Sequence, residues 1–108
     1  MRLGDAGATA LAPALHDLTA LQKLQLRGND LSAAGVEVLA PALSRLSRLA
    51  ELHLQSNAIG DAGWFRLLTA LPPLSALHTL SISMNKISPV AKKAVALSRL
   101  SALTCLRL

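Results

Sequence analysis

The chain has 108 residues, of which 52% are hydrophobic but only 2% aromatic. This length fits one domain, and a core rich in leucine and alanine indicates many similar contacts, as in stacked repeats, instead of packing around a few large side chains. The net charge of +5 comes from scattered basic residues without a polybasic run, so nucleic-acid binding is not expected.

The cysteine content and the first residues bear on where the protein functions. Cys105 is the only cysteine, which excludes a disulfide within the chain and favours a reducing compartment. The first residues lack the apolar core of a signal peptide, and no stretch reaches the apolar length of a membrane span. We therefore expect an intracellular, cytoplasmic protein that does not bind a membrane.

A repeated pattern runs through the whole chain. Residues 49–59 match the leucine-rich repeat signature L-x-x-L-x-L-x-x-N-x-L. Asn29, Asn57 and Asn85 follow one another at equal steps of 28 (57−29 and 85−57), whereas Leu77 to Leu103 is a step of 26 (103−77). The pattern predicts one domain over 1–108, with a partial copy 1–20, copies 21–48, 49–76 and 77–102, and a partial copy 103–108. We expect a fragment of a longer solenoid.

Each copy begins with alternating apolar and polar residues, which is a strand pattern, and ends with apolar residues at helical spacing. The predicted strands are Lys23–Leu26, Glu51–Leu54, Thr79–Ile82 and Thr104–Arg107. The predicted helices are Asp5–Leu15, Ala33–Leu43, Asp61–Leu71 and Pro89–Leu97.

Alternating strands and helices predict an α/β solenoid. Successive strands joined by helices are parallel, with right-handed crossovers. Strands are spaced about 4.8 Å apart and helices about 10 Å, so the stack must curve into a horseshoe. The short parallel strands then form the concave face and the helices form the convex face.

Small residues mark the helix starts and the turns. Ser32 and Ser88 occupy N-cap positions, whereas Gly4 and Gly60 replace serine there. The next residues in those two copies are Asp5 and Asp61, which favour the helix dipole. Gly7, Gly35 and Gly63 recur at the same position of successive copies. This column of glycines predicts a close approach of each helix to the next layer. Three asparagines are predicted to be structural, because their side-chain amides can form hydrogen bonds with backbone groups that the turns leave unpaired. They are Asn29, Asn57 and Asn85.

The polar residues between the inward leucines are predicted to point out of the concave face. The predicted partner-binding residues are Lys23, Gln25, Arg27, Glu51, His53, Gln55, Thr79, Ser81, Ser83 and Arg107. Cys105 completes the first column of this face, and a surface ion pair is expected between Lys23 and Glu51. These residues differ from copy to copy, as a heterogeneous binding surface requires. The alternative interpretation is that they only keep the sheet solvated.

No pattern predicts a catalytic, cofactor or metal site. His53 and His78 are offset by three positions across one layer and are expected to point opposite ways. Cys105 lacks a partner for a nucleophilic arrangement, and the glycines belong to the repeat instead of a phosphate-binding loop. We therefore predict that the protein is not an enzyme. Of the two aromatic residues, Trp64 is expected to pack between helices and Phe65 to point outward, where it could anchor a partner.

The repeat period with N-x-[LI]-[GS]-[DA]-A-G resembles the ribonuclease-inhibitor-like class of leucine-rich repeat proteins. That class includes ribonuclease inhibitors, the sensing ends of nucleotide-binding innate-immune receptors, and Ran-type GTPase activators. The resemblance implies a non-catalytic scaffold that binds a protein partner through its concave face and adjoining loops. The chain departs from the ribonuclease inhibitors in its single cysteine, and from complete solenoids in lacking terminal caps.

Two other functions are consistent with this resemblance. A GTPase activator would need a charged loop at the strand-exit edge, where the chain has Arg27, Gly28, Ser56 and Met84 and no insertion. A structural arm of a larger immune sensor or ubiquitin-ligase adaptor is the other alternative. Ends without caps also predict end-to-end self-association through exposed leucines, namely Leu11, Leu15, Leu106 and Leu108.

Overall fold

A computed structural model describes residues 3–93 and 105–108. In chain order the elements are α1 (Gly4–Asp17), β1 (Lys23–Gln25), α2 (Ala33–Leu43), β2 (Glu51–His53), α3 (Gly60–Ala70), β3 (Thr79–Ser81), α4 (Pro89–Lys93) and β4 (Cys105–Arg107). The strands form one parallel sheet in the order β1-β2-β3-β4. The predicted α/β solenoid is therefore confirmed.

The sheet register places equivalent residues of successive copies side by side. Lys23 pairs with Glu51, Glu51 with Thr79, and Thr79 with Cys105. The sequence step is 28 for the first two pairs and 26 for the third (51−23, 79−51 and 105−79). The shortening of the last copy therefore falls outside the sheet, and the outward columns remain continuous across all four strands.

The element ends differ slightly from the predicted ones. The first three strands end one residue early, although the Leu26 N–H still donates to the His53 carbonyl at 2.8 Å. Helix α1 begins one residue before the prediction and ends two residues after it, at Asp17, and α3 is shifted one residue toward the N-terminus. The predicted residues 94–97 of the last helix and residue 104 of the last strand lie outside the described residues.

The core lies between the sheet and the helices. In β2 and the turn after it, Leu52, Leu54 and Ile59 are at most 1% exposed. Trp64 is also fully buried, whereas Phe65 is 47% exposed and points outward, as predicted. No helix among the described residues is long and apolar enough to cross a membrane.

The expected exposure of leucines at the two ends is partly wrong. Leu15 is only 1% exposed because it packs into the core beneath α2. Leu11, Leu106 and Leu108 are partly buried against the same core. End-to-end association therefore stays a prediction, with less exposed leucine to drive it than the sequence suggested.

The helix starts are linked between layers by aspartate. The Asp5 carboxylate accepts hydrogen bonds from the Ser32 N–H at 2.9 Å and from the Ser32 hydroxyl. Asp61 repeats this contact two layers on, accepting the Ser88 N–H at 2.7 Å. Each aspartate lies in the first turn of its helix, as predicted, but its side chain also stabilises the helix start of the following layer. The Ser32 hydroxyl in turn accepts the Ala34 N–H at 3.2 Å, as an N-cap does.

The glycines allow close contact with the residues at the start of their own helix and with the preceding layer. A Cβ added to Gly35 would collide with the Asp5 carboxylate. A Cβ added to Gly63 would collide with the Ile59 side chain and lie 3.3 Å from the Ala33 Cα. The expectation of an approach to the next layer is therefore wrong in direction.

We expect Ser32→Ala to raise the pKa of Asp5. The two hydrogen bonds from Ser32 lower that pKa below its ordinary value. A lowered pKa stabilises the folded chain above the ordinary pKa, and this contribution is lost as pH falls through the folded value, below about pH 4. A carboxyl-carbon NMR titration measures the shift. Ser44→Ala is the control, since the Ser44 hydroxyl donates to the Pro41 carbonyl and makes no described contact with Asp5. An unchanged Asp5 pKa in Ser32→Ala would contradict the assignment.

Candidate functional site

The strand-exit turns are held by an asparagine ladder. The Asn57 side-chain oxygen accepts the N–H groups of Asn29 at 2.9 Å and Leu31 at 3.0 Å. Its amide nitrogen donates to the carbonyls of Leu26 at 3.0 Å and Leu54 at 2.9 Å. One side chain therefore pairs four backbone groups of two adjacent layers, three of them outside its own turn.

The ladder continues on both sides of Asn57. Asn85 accepts the Ile59 N–H at 3.2 Å and donates to the carbonyls of Leu54 at 2.7 Å and Ile82 at 2.9 Å. Asn29 accepts the Leu3 N–H at 3.2 Å and is more exposed. The ladder lies directly behind the polar face and fixes the spacing of its strand ends.

The concave face contains a small notch above β3. Its floor is built from the small side chains of β3, and its walls come from larger residues of β2 and β4. The notch has a volume of about 300 Å³ and is lined by Glu51, His53, Gln55, Thr79, Ser81, Cys105 and Arg107. The middle row of pairs is His53, Ser81 and Arg107, so the imidazole and the guanidinium belong to opposite walls.

The predicted binding residues differ in accessibility. The predicted binding residues of the first layer, on β1 and just after it, are exposed, as is the one at the end of β4. They are Lys23, Gln25, Arg27 and Arg107. Partly buried residues form the middle of the face, and they are Glu51, His53, Gln55, Thr79 and Ser83. Ser81 is only 3% exposed. Although it lines the notch, the larger neighbours cover it, so it forms a floor and offers little contact area.

Glu51 pairs with a different residue from the one expected. His53 Nε2 lies 3.2 Å from Glu51 Oε1, two residues along the same strand and on the same face. This hydrogen bond lowers the pKa of Glu51 below its ordinary value, and the charge of neighbouring Lys23 lowers it further. Lys23 is thus adjacent to Glu51 in the register, but the hydrogen bond forms with His53.

The histidines do not assemble a metal site among residues 3–93 and 105–108. No group of three potential ligands is found in these residues. His78 is exposed, and its Nδ1 lies 2.8 Å from the Thr79 hydroxyl. His53, by contrast, engages Glu51 on the concave face.

Gln55 lines the notch but has one unpaired side-chain atom. Within the described part of the chain, its side-chain oxygen is buried and has no hydrogen-bond partner. Buried polar atoms in folded proteins nearly always have a partner, so this oxygen is an exception to that rule. Gln25, one layer earlier, instead accepts the Arg27 N–H at 3.1 Å.

A second and larger concavity lies on the convex side. This groove of about 410 Å³ runs between α1 and α2, and its lining includes Pro13, Val38 and Pro41. The two prolines occupy equivalent positions of successive copies and lie inside their helices, where neither can donate a backbone hydrogen bond. The groove offers mainly apolar surface, whereas the notch combines charges, hydroxyls and an unpaired acceptor. We therefore regard the notch as the better candidate site.

Comparisons with known proteins agree with this architecture. A leucine-rich repeat family model matches residues 18–40 and 49–67. A solved structure described as "Leiomodin-1 Actin-Binding Site 2 (ABS2)" is similar, with a TM-score of 0.83 at 18% sequence identity. That alignment covers 99% of this chain and 68% of the other chain. The sequence matches none of the curated proteins. At this identity the structural match establishes the fold alone.

Two features were not predicted from the sequence. The first is the link from Asp5 to Ser32, although the alternation of Gly-Asp and serine at successive helix starts was a visible signal for it. The second is the unpaired oxygen of Gln55. No sequence signal distinguishes Gln55 from Gln25, because the difference comes from the side chains of neighbouring layers.

Proposed function

We propose that this leucine-rich repeat solenoid is a non-catalytic interaction module that binds a protein partner through its concave face. The observation that carries the proposal is the notch in the concave face, whose lining side chains differ from layer to layer.

The frame behind the face favours recognition by a preformed surface. Asn57 and Asn85 bond the turns to one another, and Leu52 and Leu54, between the outward residues of the second layer, are fully buried. A rigid backbone reduces the conformational entropy lost on binding. Variation is then confined to the few side chains that a partner would touch.

The structural neighbour supports the proposal in kind but does not identify a partner. Its description names an actin-binding site, so a chain with this fold carries a protein-binding site in that protein. The finer assignment to the ribonuclease-inhibitor-like class is also part of the proposal, supported by the constant repeat step in the register of β1, β2 and β3. An intracellular location is proposed with it, on the basis of the single, unpaired cysteine.

Site-specific cross-linking followed by affinity measurement tests the concave face. A photo-cross-linker at position 55 should capture the partner, whereas one at convex Glu37 should not. With the purified partner, Ala substitution of Glu51, His53 and Gln55 together should weaken binding by about tenfold or more, which corresponds to about 1.4 kcal/mol.

The matched control is the convex ion pair. Arg66 Nε and Glu37 lie 3.2 Å apart between α3 and α2, on the opposite side of the sheet. Ala substitution of both removes charged side chains without touching the concave face. Equal weakening by the convex pair and the concave triple, or undiminished binding by the triple, would refute the proposed site.

A further inference from the structure

The turn between β3 and α4 has a methionine where the earlier turns have small residues. Met84 stands at the position of Gly28 and Ser56 in the preceding copies, and all three have a left-handed backbone, with φ of 60°, 66° and 60° respectively. This conformation suits glycine and is disfavoured for a residue with a side chain. Met84 is also 78% exposed, so its side chain gains little burial in return. The stability of the turn therefore does not explain a methionine here.

The first turn of α4 shows the same departure. Val90 stands at the position of Ala34 and Ala62, and it is 79% exposed. Valine has a lower helix propensity than alanine, because its branched side chain loses rotamer freedom in a helix. Val90 and Met84 are the most exposed large hydrophobic residues in the described part of the chain. Both positions thus carry an apolar side chain that the fold does not bury.

The backbone that carries these two side chains is held by hydrogen bonds. The Asn85 amide donates to the Ile82 carbonyl at 2.9 Å. The Ser88 N–H donates to the Asp61 carboxylate at 2.7 Å, and the Ala91 N–H donates to the Ser88 hydroxyl at 3.1 Å. A partner that binds an already ordered backbone loses less conformational entropy than one that must order it.

Positive charge flanks the two apolar side chains. Lys86 lies between them in the turn, and Lys93 follows Val90 by three positions, so these two residues are neighbours on the surface of α4. Both lysines are exposed, and neither forms an ion pair with a described residue. Lys86 stands at the position of Asp30, which has the same φ of 59°, so the charge at this place is reversed between the two turns. We call Met84, Lys86, Val90 and Lys93 the exit patch.

The charges of the chain argue against two other occupants of the exit patch. Four of the six acidic residues already form hydrogen bonds or an ion pair within the chain, and they are Asp5, Glu37, Glu51 and Asp61. A second copy would therefore present little free negative charge to the lysines. Anionic lipid surfaces are bound by clusters of about four to eight basic residues, whereas residues 84–93 contain three. An acidic protein segment that also carries apolar side chains complements both features of the patch.

We propose that the exit patch docks an acidic protein segment whose aliphatic side chains pack against Met84 and Val90 and whose carboxylates lie against Lys86 and Lys93. The patch shares no residue with the notch in the concave face, so this inference goes beyond the proposed function and can fail without it. The apolar contacts supply burial, and the lysines select the sign of the partner's charge.

Peptide titrations followed by NMR of the intact chain test this surface. The probe is acetyl-Glu-Leu-Asp-Glu-Leu-Asp-amide, and its two controls replace both leucines with serine or all the acidic residues with lysine. We expect the probe to bind at least about fivefold more tightly than the serine peptide, because each leucine buries several methylene groups. The lysine peptide should not bind at the same concentrations. Methyl resonances of Met84 and Val90 should shift, whereas those of Val38 on α2 should not.

Substitutions taken from the preceding copy separate recognition from stability. Met84→Ser combined with Val90→Ala introduces the residues found at Ser56 and Ala62. Because Ser56 has the same φ as Met84 and Ala62 lies in the first turn of α3, the double variant should keep the urea midpoint of the parent chain. It should nevertheless bind the probe about tenfold more weakly, since both apolar anchors are lost.

The charge and the location of the contact are tested by two further variants. Lys86→Asp introduces the residue found at Asp30, and it should weaken the probe by a similar factor because it replaces an attraction with a repulsion. Val38→Ala is the matched control, since it removes a 37% exposed apolar side chain from α2. It should leave the affinity for the probe unchanged.

Several outcomes overturn the inference. Unchanged affinity in the double variant removes the patch, and a lower urea midpoint in that variant shows that the two side chains serve stability instead. Equal binding of the serine peptide removes the apolar contact, and tighter binding of the lysine peptide removes the acidic one. Binding to vesicles that contain about a quarter phosphatidylserine, lost in the double variant, would replace the protein segment with a lipid surface. A dimer of the chain that the double variant loses would replace it with a second copy. Each of these results leaves the concave-face proposal standing, because cross-linking at position 55 tests that proposal by itself.

Discussion

Asn57→Ala should lower the free energy of unfolding by about 3–5 kcal/mol. Asn57 is only 8% exposed. Its removal leaves two backbone N–H groups and the Leu26 carbonyl of the preceding layer without their partner, whereas the Leu54 carbonyl keeps its hydrogen bond from Asn85. Each unpaired buried group costs about 1–3 kcal/mol where water cannot reach it. Since domains of this size are stable by about 5–15 kcal/mol, the substitution removes a large share of the total.

Urea denaturation followed by the fluorescence of the single tryptophan measures this loss. Asn29→Ala is the matched control, because it removes the same side chain from the next turn of the ladder. Asn29 is more exposed and bonds the Leu3 N–H at 3.2 Å and the Arg27 carbonyl at 3.1 Å, so water can replace it at a cost of about 1 kcal/mol. Equal losses in the two variants would show that the ladder does not carry the stability of the turns.

The fold could be predicted from the sequence because a constant repeat length determines which residues pair in neighbouring strands. A constant repeat step places Lys23 beside Glu51 and Glu51 beside Thr79 before any side chain is positioned. The strand pattern then divides each copy into inward leucines and outward polar residues. These inferences need only backbone spacing, which the repeat imposes uniformly.

The contacts on the concave face were harder to predict, because they depend on the rotamers that neighbouring side chains adopt. Glu51 lies beside Lys23 in the sheet register, yet its hydrogen bond forms with His53 on its own strand. Ser81 occupies an outward position yet is 3% exposed, since larger residues on the flanking strands cover it. Neither result can be obtained from the period alone.

The repeat also explains why recognition is confined to few residues. Leu52, Leu54, Asn57 and Gly63 are committed to the core, the turn or the close packing of helices. Changing any of them disturbs two neighbouring layers at once. The outward residues of the strands do not contribute to the core or the turns in this way, so their side chains can differ from layer to layer at little cost in stability.

Trp64→Ala should destabilise the chain by about 3–5 kcal/mol, the usual cost of emptying a buried aromatic site. Trp64 is fully buried, and its indole N–H donates to the Ala91 carbonyl of α4 at 2.6 Å. The substitution therefore removes core volume and the hydrogen bond to that carbonyl. Trp64→Phe keeps most of the apolar surface, so it should cost about 1–2 kcal/mol, chiefly the lost hydrogen bond.

Phe65 supplies the control for this prediction, since it is the adjacent aromatic residue on the same helix but is 47% exposed. Phe65→Ala should cost less than about 1 kcal/mol. Far-UV circular dichroism must follow unfolding, because the variants at position 64 lack the tryptophan. A Trp64→Ala loss no larger than that of Phe65→Ala would refute the role of this contact.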